Sequence, residues 1–213
     1  GLVLPPAVAP EQVVIVPIWH ADDREEILSY ADDLAEGLRN AGVRVELDDR
    51  DERNPGFKFN EWELKGVPLR LEVGPNELES ETATAVHRPD GESVSIDAEG
   101  IATSVENHLD QIHEKLYDAA STNLTENVRE ADSRGEILGT IGQHGGYVAA
   151  PWCGDEACET KIKDEIAAEV VAVPLDAPVD EDAPGRAIHE VTGDICALCD
   201  DAAETTAYFA RTY

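Results

Sequence analysis

The run Gln12 to Ile18, QVVIVPI, is almost wholly apolar and bounded by turn-prone residues, which fits a strand buried on both faces of a sheet. Asp22 and Asp23 follow as acidic first-turn residues of a helix that the pattern carries to Asn40. Ile27, Leu28, Ala31, Leu34, Ala35 and Leu38 share one face of it, and Gly42 is its stop. Val43, Val45 and Leu47 then alternate with Arg44 and Glu46, the period-two mark of a half-buried strand. Strand, helix and strand within about 35 residues make a βαβ unit, which favours parallel pairing and a right-handed crossover. An α/β sheet is therefore the expected frame.

The stretch from Val43 to Gly74 carries the chemistry. It reads strand, loop, short amphipathic helix, strand, the last beginning at Pro68, Leu69 and Leu71. Arg50, Arg53, Lys58, Lys65 and Arg70 lie there beside Phe57, Phe59 and Trp62. Cations hold phosphates and flat rings stack on unpaired bases, so this mixture suits single-stranded nucleic acid. The competing reading is a surface helix whose aromatics face the core.

Charge sharpens the point. The chain has 46 acidic residues against 16 basic ones, a net charge of −30, and only five lysines. Disordered acidic chains are poor in apolar residues, whereas this one is 42% hydrophobic and clearly periodic, so it folds. Adaptation to molar salt explains the excess, because the Debye length falls to about 3 Å at 1 M and like charges stop repelling. Stability should accordingly rise between low and molar KCl in denaturant melts; a fold indifferent to salt would contradict this origin. Concentrated salt also weakens binding through phosphates. Recognition should then lean on stacking and base edges, with the few cations focused in one place. Six of the sixteen lie between Arg44 and Arg70.

Along the chain, Leu2 to Pro10 reads as an extended connector, and Gly74, Pro75 and Asn76 as a turn. Thr82 to Arg88 and Glu92 to Asp97 read as a hairpin over Pro89, Asp90 and Gly91, and Ala98 to Ala120 as a helix. Composition shifts after Ser121. The pattern gives a helix over Thr125 to Leu138, a glycine-rich IGQHGG, and a helix over Lys161 to Glu169. A strand at Val170 to Val173, an acidic loop at Asp176 to Gly185 and an alternating strand at Thr206 to Thr212 complete it. The organisation is a connector at 1–10, one domain at 11–120 and a smaller one at 121–213. No apolar run approaches the roughly 20 residues that span a bilayer and no signal pattern opens the chain, so the expectation is a soluble, cytoplasmic protein.

All four cysteines fall in two pairs, Cys153 with Cys158 and Cys196 with Cys199, 37 residues apart. C-x4-C and C-x2-C fit two knuckles of a tetrahedral thiolate zinc site, closed and therefore structural. Disulfides compete, though a cytosolic compartment disfavours them. A redox role for Cys196 and Cys199 would leave the other pair idle. The six histidines form no paired metalloprotease motif and read as surface or packing residues.

The string DDRDERNPGFKFNEWELKGVPLRLEVGP closely resembles the anticodon-binding domain of class II prolyl-tRNA synthetases of the archaeal and eukaryotic-like type. GLVLPPAVAPEQVVIVPI precedes it, and CGDEAC, CALC and terminal AYFARTY follow. The resemblance covers essentially the whole chain. It implies a mixed five-stranded sheet with flanking helices, the class II anticodon-binding fold, followed by a small α+β zinc-binding domain with Cys153, Cys158, Cys196 and Cys199 as ligands. Asp200 departs from the glycine that often follows the second knuckle. It further implies that Glu63 and Arg70 contact the two anticodon guanines of tRNA(Pro), that Phe59 stacks on a base, and that Lys58 and Lys65 are candidates for phosphate. Lysines that some relatives carry at or near Asn76 and Glu92 are absent. Tyr213 matches a terminal tyrosine whose carboxylate reaches toward the family's active site.

The catalytic domain of that family, with its ATP, Mg2+ and proline sites, lies outside these residues, so no catalytic residue is expected in this chain. The implied partners are tRNA(Pro), the upstream catalytic domain and a second copy in the full-length enzyme, with no role for DNA or membrane. Two alternatives stand beside this reading: a free-standing, non-catalytic tRNA-binding or regulatory protein descended from such an enzyme, and a zinc-stabilised interaction module without RNA.

Overall fold

The structure, a computed structural model, describes residues 1–20, 22–173, 193–199 and 201–211. It divides into two compact units, Gly1–Tyr117 and Asp118–Tyr213. The acidic loop expected at Asp176 to Gly185, Asp200 and Tyr213 lie outside the described residues.

In the first unit the elements run β1 (Val13–Pro17), α1 (Arg24–Asn40), β2 (Val45–Leu47), α2 (Pro55–Lys65) and β3 (Leu69–Val73). They continue with α3 (Pro75–Ser80), β4 (Thr82–His87), β5 (Ser93–Asp97) and α4 (Ile101–Glu126). The five strands form one mixed sheet in the order β2-β1-β3-β4-β5. β1 lies parallel to β2 and β3, while β4 and β5 add antiparallel. All five residues of central β1 are buried, and Val13 to Val16 alternate between two cores. Val13 and Ile15 join Ile27, Ala31, Leu34 and Leu38 of α1 and Val105, Leu109 and Ile112 of α4. Val14 and Val16 face the other way, onto Trp62, Val67 and the partly buried Phe59. The second, smaller core fastens α2 to the sheet.

Gly74, Pro75 and Asn76 begin a helix rather than forming a turn. The Gly74 amide donates to the Glu77 carboxylate at 3.0 Å and Pro75 occupies the first turn, where its missing N–H costs nothing. α4 runs beyond Ala120 because Thr125 and Asn127 side chains donate to the carbonyls of Ser121 and Asn123.

The second unit, entered through the last turns of α4, runs β6 (Val128–Glu130), α5 (Arg134–His144), β7 (Tyr147–Trp152), α6 (Glu156–Ile166), β8 (Ala168–Ala172) and β9 (Thr205–Arg211). Its sheet has the order β6-β7-β9-β8, with β6 and β7 parallel and the remaining pairs antiparallel. The helix expected over Thr125 to Leu138 is instead the end of α4, strand β6 and the start of α5. Ser133 caps α5 by accepting from the Glu136 amide, and the Asp132 amide donates to the Glu136 carboxylate, so a new helix starts where an unbroken one was expected. Helix α6 starts five residues before the expected Lys161, at the Asp155 cap, which accepts from the Ala157 amide. Among the described residues no helix is long and apolar enough to cross a membrane.

Candidate nucleic-acid interface and candidate metal centre

Helix α2 is defined at both ends by local chemistry. Asn54 caps it by accepting from the Phe57 amide at 2.8 Å, and Pro55 sits at its first position. Gly66 ends it with φ 79°, where a Cβ would stand 2.8 Å from the Leu2 side chain, so both conformation and space ask for glycine.

Its inward row is tied to a buried carboxylate at the end of β2. Asp48, 1% exposed, accepts from Trp62 Nε1 at 2.8 Å and from Arg50 Nε and Nη2 at 2.8 and 2.7 Å. Lys58 Nζ donates to the Asp48 carbonyl at 2.8 Å and lies 3.7 Å from its carboxylate. Burial alone would push the Asp48 pKa up. Hydrogen bonds from Arg50 and Trp62, with the positive charges of Lys58 and Arg50, outweigh burial and bring it down to about 2. Lys58 itself is pushed down by burial, against the pull of Asp48. Lys58 is thus a correction to the sequence reading: its ammonium is buried against Asp48 and the Trp19 ring and presents nothing to a phosphate.

The adjacent, half-buried row carries the other expected residues. Phe59 and Glu63 lie one helical turn apart on α2, and Arg70 rises from neighbouring β3. The Arg70 guanidinium stacks over the Phe59 ring at 4.1 Å, donates to Glu63 Oε1 at 3.2 Å and is held from the other side by Glu72 at 2.9 Å. Ring, acid and guanidinium therefore form one contiguous patch, with Glu63 44% exposed and Arg70 16%. Glu63 and Arg70 also line a pocket of about 200 Å³ together with Val86, Arg88, Asp90 and Gly91 from the β4–β5 hairpin. Nearby, Lys65 covers the Trp62 ring at 3.9 Å and pairs with Glu61, and Arg53 covers the exposed Phe57 ring at 4.4 Å. Lys65, unlike Lys58, is half-exposed.

In the second unit the four cysteines meet although 37 residues separate the two pairs. Cys153 follows β7, Cys158 lies in the first turn of α6, and Cys196 and Cys199 belong to the described residues 193–199 that precede β9. All four sulfurs lie within 4.8 Å of one another; Cys158 stands 3.7 Å and Cys199 3.8 Å from Cys153. Thiolates at about 2.3 Å from one tetrahedral ion are about 3.8 Å apart, so the group could hold a metal. Burial pushes the Cys158 thiol up, a hydrogen bond with Cys199 opposes it, and Cys153 and Cys196 add to the rise. A cation is what would offset that cost.

Residues 12–108 match the family model of the anticodon binding domain, and residues 135–213 match that of the prolyl-tRNA synthetase C-terminal domain. The chain is 61% identical over all 213 residues to proteins named proline–tRNA ligase from Halorubrum lacusprofundi and Haloarcula marismortui. The chain belongs to the prolyl-tRNA synthetase family. It spans 42% of the length of those halophilic archaeal relatives, and the same share of a proline–tRNA ligase from Thermococcus kodakarensis at 39% identity. A crystal structure of the prolyl-tRNA synthetase of Cryptosporidium parvum with L-proline and AMP superposes with a TM-score of 0.85 at 34% identity, covering 100% of this chain and 43% of that one. The chain thus has the mixed anticodon-binding sheet and the C-terminal domain of prolyl-tRNA synthetases.

Two features of this prolyl-tRNA synthetase domain escape a reading of its sequence. Asp48 is one acid among 46, and only the fold reveals it as the anchor of α2. His87, read as a surface or packing residue, is buried with its Nε2 2.8 Å from His108 Nδ1.

Proposed function

We propose that this chain supplies tRNA(Pro) selection and the C-terminal scaffold of a cytoplasmic proline–tRNA ligase, whose proline, ATP and Mg2+ sites and dimer contacts belong to a catalytic domain upstream. The observation that carries the reading is the Phe59–Arg70–Glu63 patch, preassembled and partly solvent-facing. Glu63 accepts from the N1 and N2 donors of an anticodon guanine, Arg70 donates to O6 or N7 of the same or the neighbouring one, and Phe59 stacks. A stacked base contributes about 1 to 3 kcal/mol and a good base-edge pairing a similar amount. Neither term depends on bulk charge attraction, which suits an acidic protein in strong salt. Because Arg70 is already held by Glu63 and Glu72, little side-chain entropy is lost when RNA docks.

Zinc held by Cys153, Cys158, Cys196 and Cys199 completes the proposal. Bound there, the ion supplies a closed thiolate crosslink and no open coordination position, a structural rather than a catalytic role.

Filter binding at high KCl tests the RNA reading. Wild type should prefer tRNA(Pro) over transcripts with either anticodon guanine replaced. Arg70→Ala should lose about 10- to 100-fold in affinity and most of that preference. Equal binding of all three transcripts by wild type would overturn it and leave the chain an interaction module without RNA specificity.

A further inference from the structure

We propose that the tip of the β4–β5 hairpin is a divalent-metal site, in which His87 Nδ1 and the carboxylates of Asp90 and Glu92 bind a first-row ion of the Mn2+ class. It lies apart from the four cysteines and does not rest on the RNA reading.

Three observations converge. The ligand atoms of His87, Asp90 and Glu92 lie within 4.8 Å of one another. His87 is 1% exposed and its Nδ1 has no hydrogen-bond partner, while Glu92 Oε2 stands 4.0 Å from it. Such an atom is costly to bury unless something fills the gap. The other ring nitrogen, Nε2, is 2.8 Å from His108 Nδ1. With the shared proton on His87 Nε2, Nδ1 presents a lone pair to two carboxylates. Three electron-rich atoms facing one point call for a cation, and a second-side acceptor such as His108 is what orients and fixes the tautomer of a ligating histidine.

The hairpin preorganises the set. The His87 and Glu92 backbones are hydrogen-bonded at 2.8 Å, and the Glu92 amide donates to Asp90 Oδ1 at 3.0 Å, so the three side chains share one short, closed turn. Neighbouring ligand atoms around an ion with bonds of about 2.1 Å are about 3.0 to 3.4 Å apart. The 4.0 Å between His87 Nδ1 and Glu92 Oε2 must therefore close somewhat on binding, and Asp90 and Glu92 are exposed enough to make that movement. One imidazole with two carboxylates suits Mn2+, Fe2+ or Zn2+ better than an all-oxygen ion.

A positive group already sits at the mouth. Lys115 of α4 bridges the two carboxylates, donating to Asp90 at 2.8 Å and to Glu92 at 2.6 Å. It does not reach His87 Nδ1, and its half-exposed side chain can swing into solvent. A divalent ion would supply the bond to Nδ1 that the ammonium leaves unmade, and would displace it.

Mn2+ titration followed by electron paramagnetic resonance tests the site on the 213-residue chain. One equivalent of zinc is first supplied for the four cysteines, unbound zinc is removed by gel filtration, and molar KCl suppresses diffuse binding to the acidic surface. One Mn2+ should bind with nitrogen hyperfine coupling from imidazole. Lys115→Gln should tighten it at least about tenfold by removing a competing charge, and Glu92→Gln should weaken it by about as much. His87→Gln should abolish the nitrogen signal. If that buried variant fails to fold, the two exposed substitutions still decide. Absence of nitrogen coupling in wild type, or equal affinity in wild type, Lys115→Gln and Glu92→Gln, would overturn the proposal and leave the hairpin as a lysine latch.

Discussion

With zinc on the four cysteines as proposed, withdrawing it, or replacing Cys199 with serine, should unfold Asp118–Tyr213 while Gly1–Tyr117 stays folded. The four cysteines are the place where the end of β7, the start of α6 and residues 193–199 are drawn together. Cys158 and Cys196 are themselves buried members of that unit's core, beside Ile137, Ile162 and Phe209. A core built on so few large side chains is marginal for a unit of this size. A structural zinc in a small domain contributes about 10 kcal/mol or more of folding free energy, which exceeds what such a core leaves in reserve. Without the ion, four crowded thiols remain where Cys158 is already hard to ionise. The first unit has its own sheet and core, so the loss should stay local. Hydrogen exchange read by mass spectrometry, with and without chelator, checks this directly. Protection should vanish across β7, α6 and β9 and persist in β1 and β3. Unchanged protection in metal-free Cys199→Ser would show that the cysteines pack without needing an ion.

The sequence reveals elements whose residues all report one environment. β1 is legible because a strand buried on both faces is apolar throughout, and α1 because its buried face repeats cleanly through Ile27, Ala31, Leu34 and Leu38. β7 is opaque for the opposite reason. β7 pairs with strands on both sides and is buried from Val148 to Pro151, yet alanine and proline hold three of those four buried positions, and neither favours strands on propensity. β6 is only three residues long and is held by its parallel partner rather than by its own pattern. Of the candidate site, Phe59, Glu63 and Arg70 come together because helical spacing and an adjacent strand bring them there. Lys58 is misread because a cation next to aromatics suggests a surface, whereas this one is one position around the helix from Phe59 and faces inward. What turns it inward is Asp48, ten residues earlier, and no local pattern records that pairing.

Asp48→Ala should therefore have the largest effect of any single substitution in the first unit. Removing one partner of a buried ion pair costs about 3 to 5 kcal/mol, because the remaining charge is left without compensation. Here the buried Lys58 would lose its carboxylate and the indole N–H of Trp62 its acceptor, while the partly exposed Arg50 keeps Glu61 at 2.9 Å. The sign with pH follows from the lowered pKa. A carboxyl at about 2 in the folded chain and about 4 unfolded contributes stability that is fully present above about pH 4 and is lost as pH falls toward 2, a span worth about 2 kcal/mol. Asp48→Asn should flatten that acid limb while keeping an acceptor for Trp62. Lys58→Met in the Asp48→Ala background should recover part of the loss, since the uncompensated ammonium is then gone, and a double-mutant cycle in urea measures the coupling. Strictly additive losses would mean that Asp48 and Lys58 act independently. Because Trp62 and Lys58 fix the roll of α2, the same substitution should blunt guanine discrimination by Phe59, Glu63 and Arg70, although Asp48 is buried beneath the helix and faces no RNA. Aim, not contact, is what this carboxylate supplies.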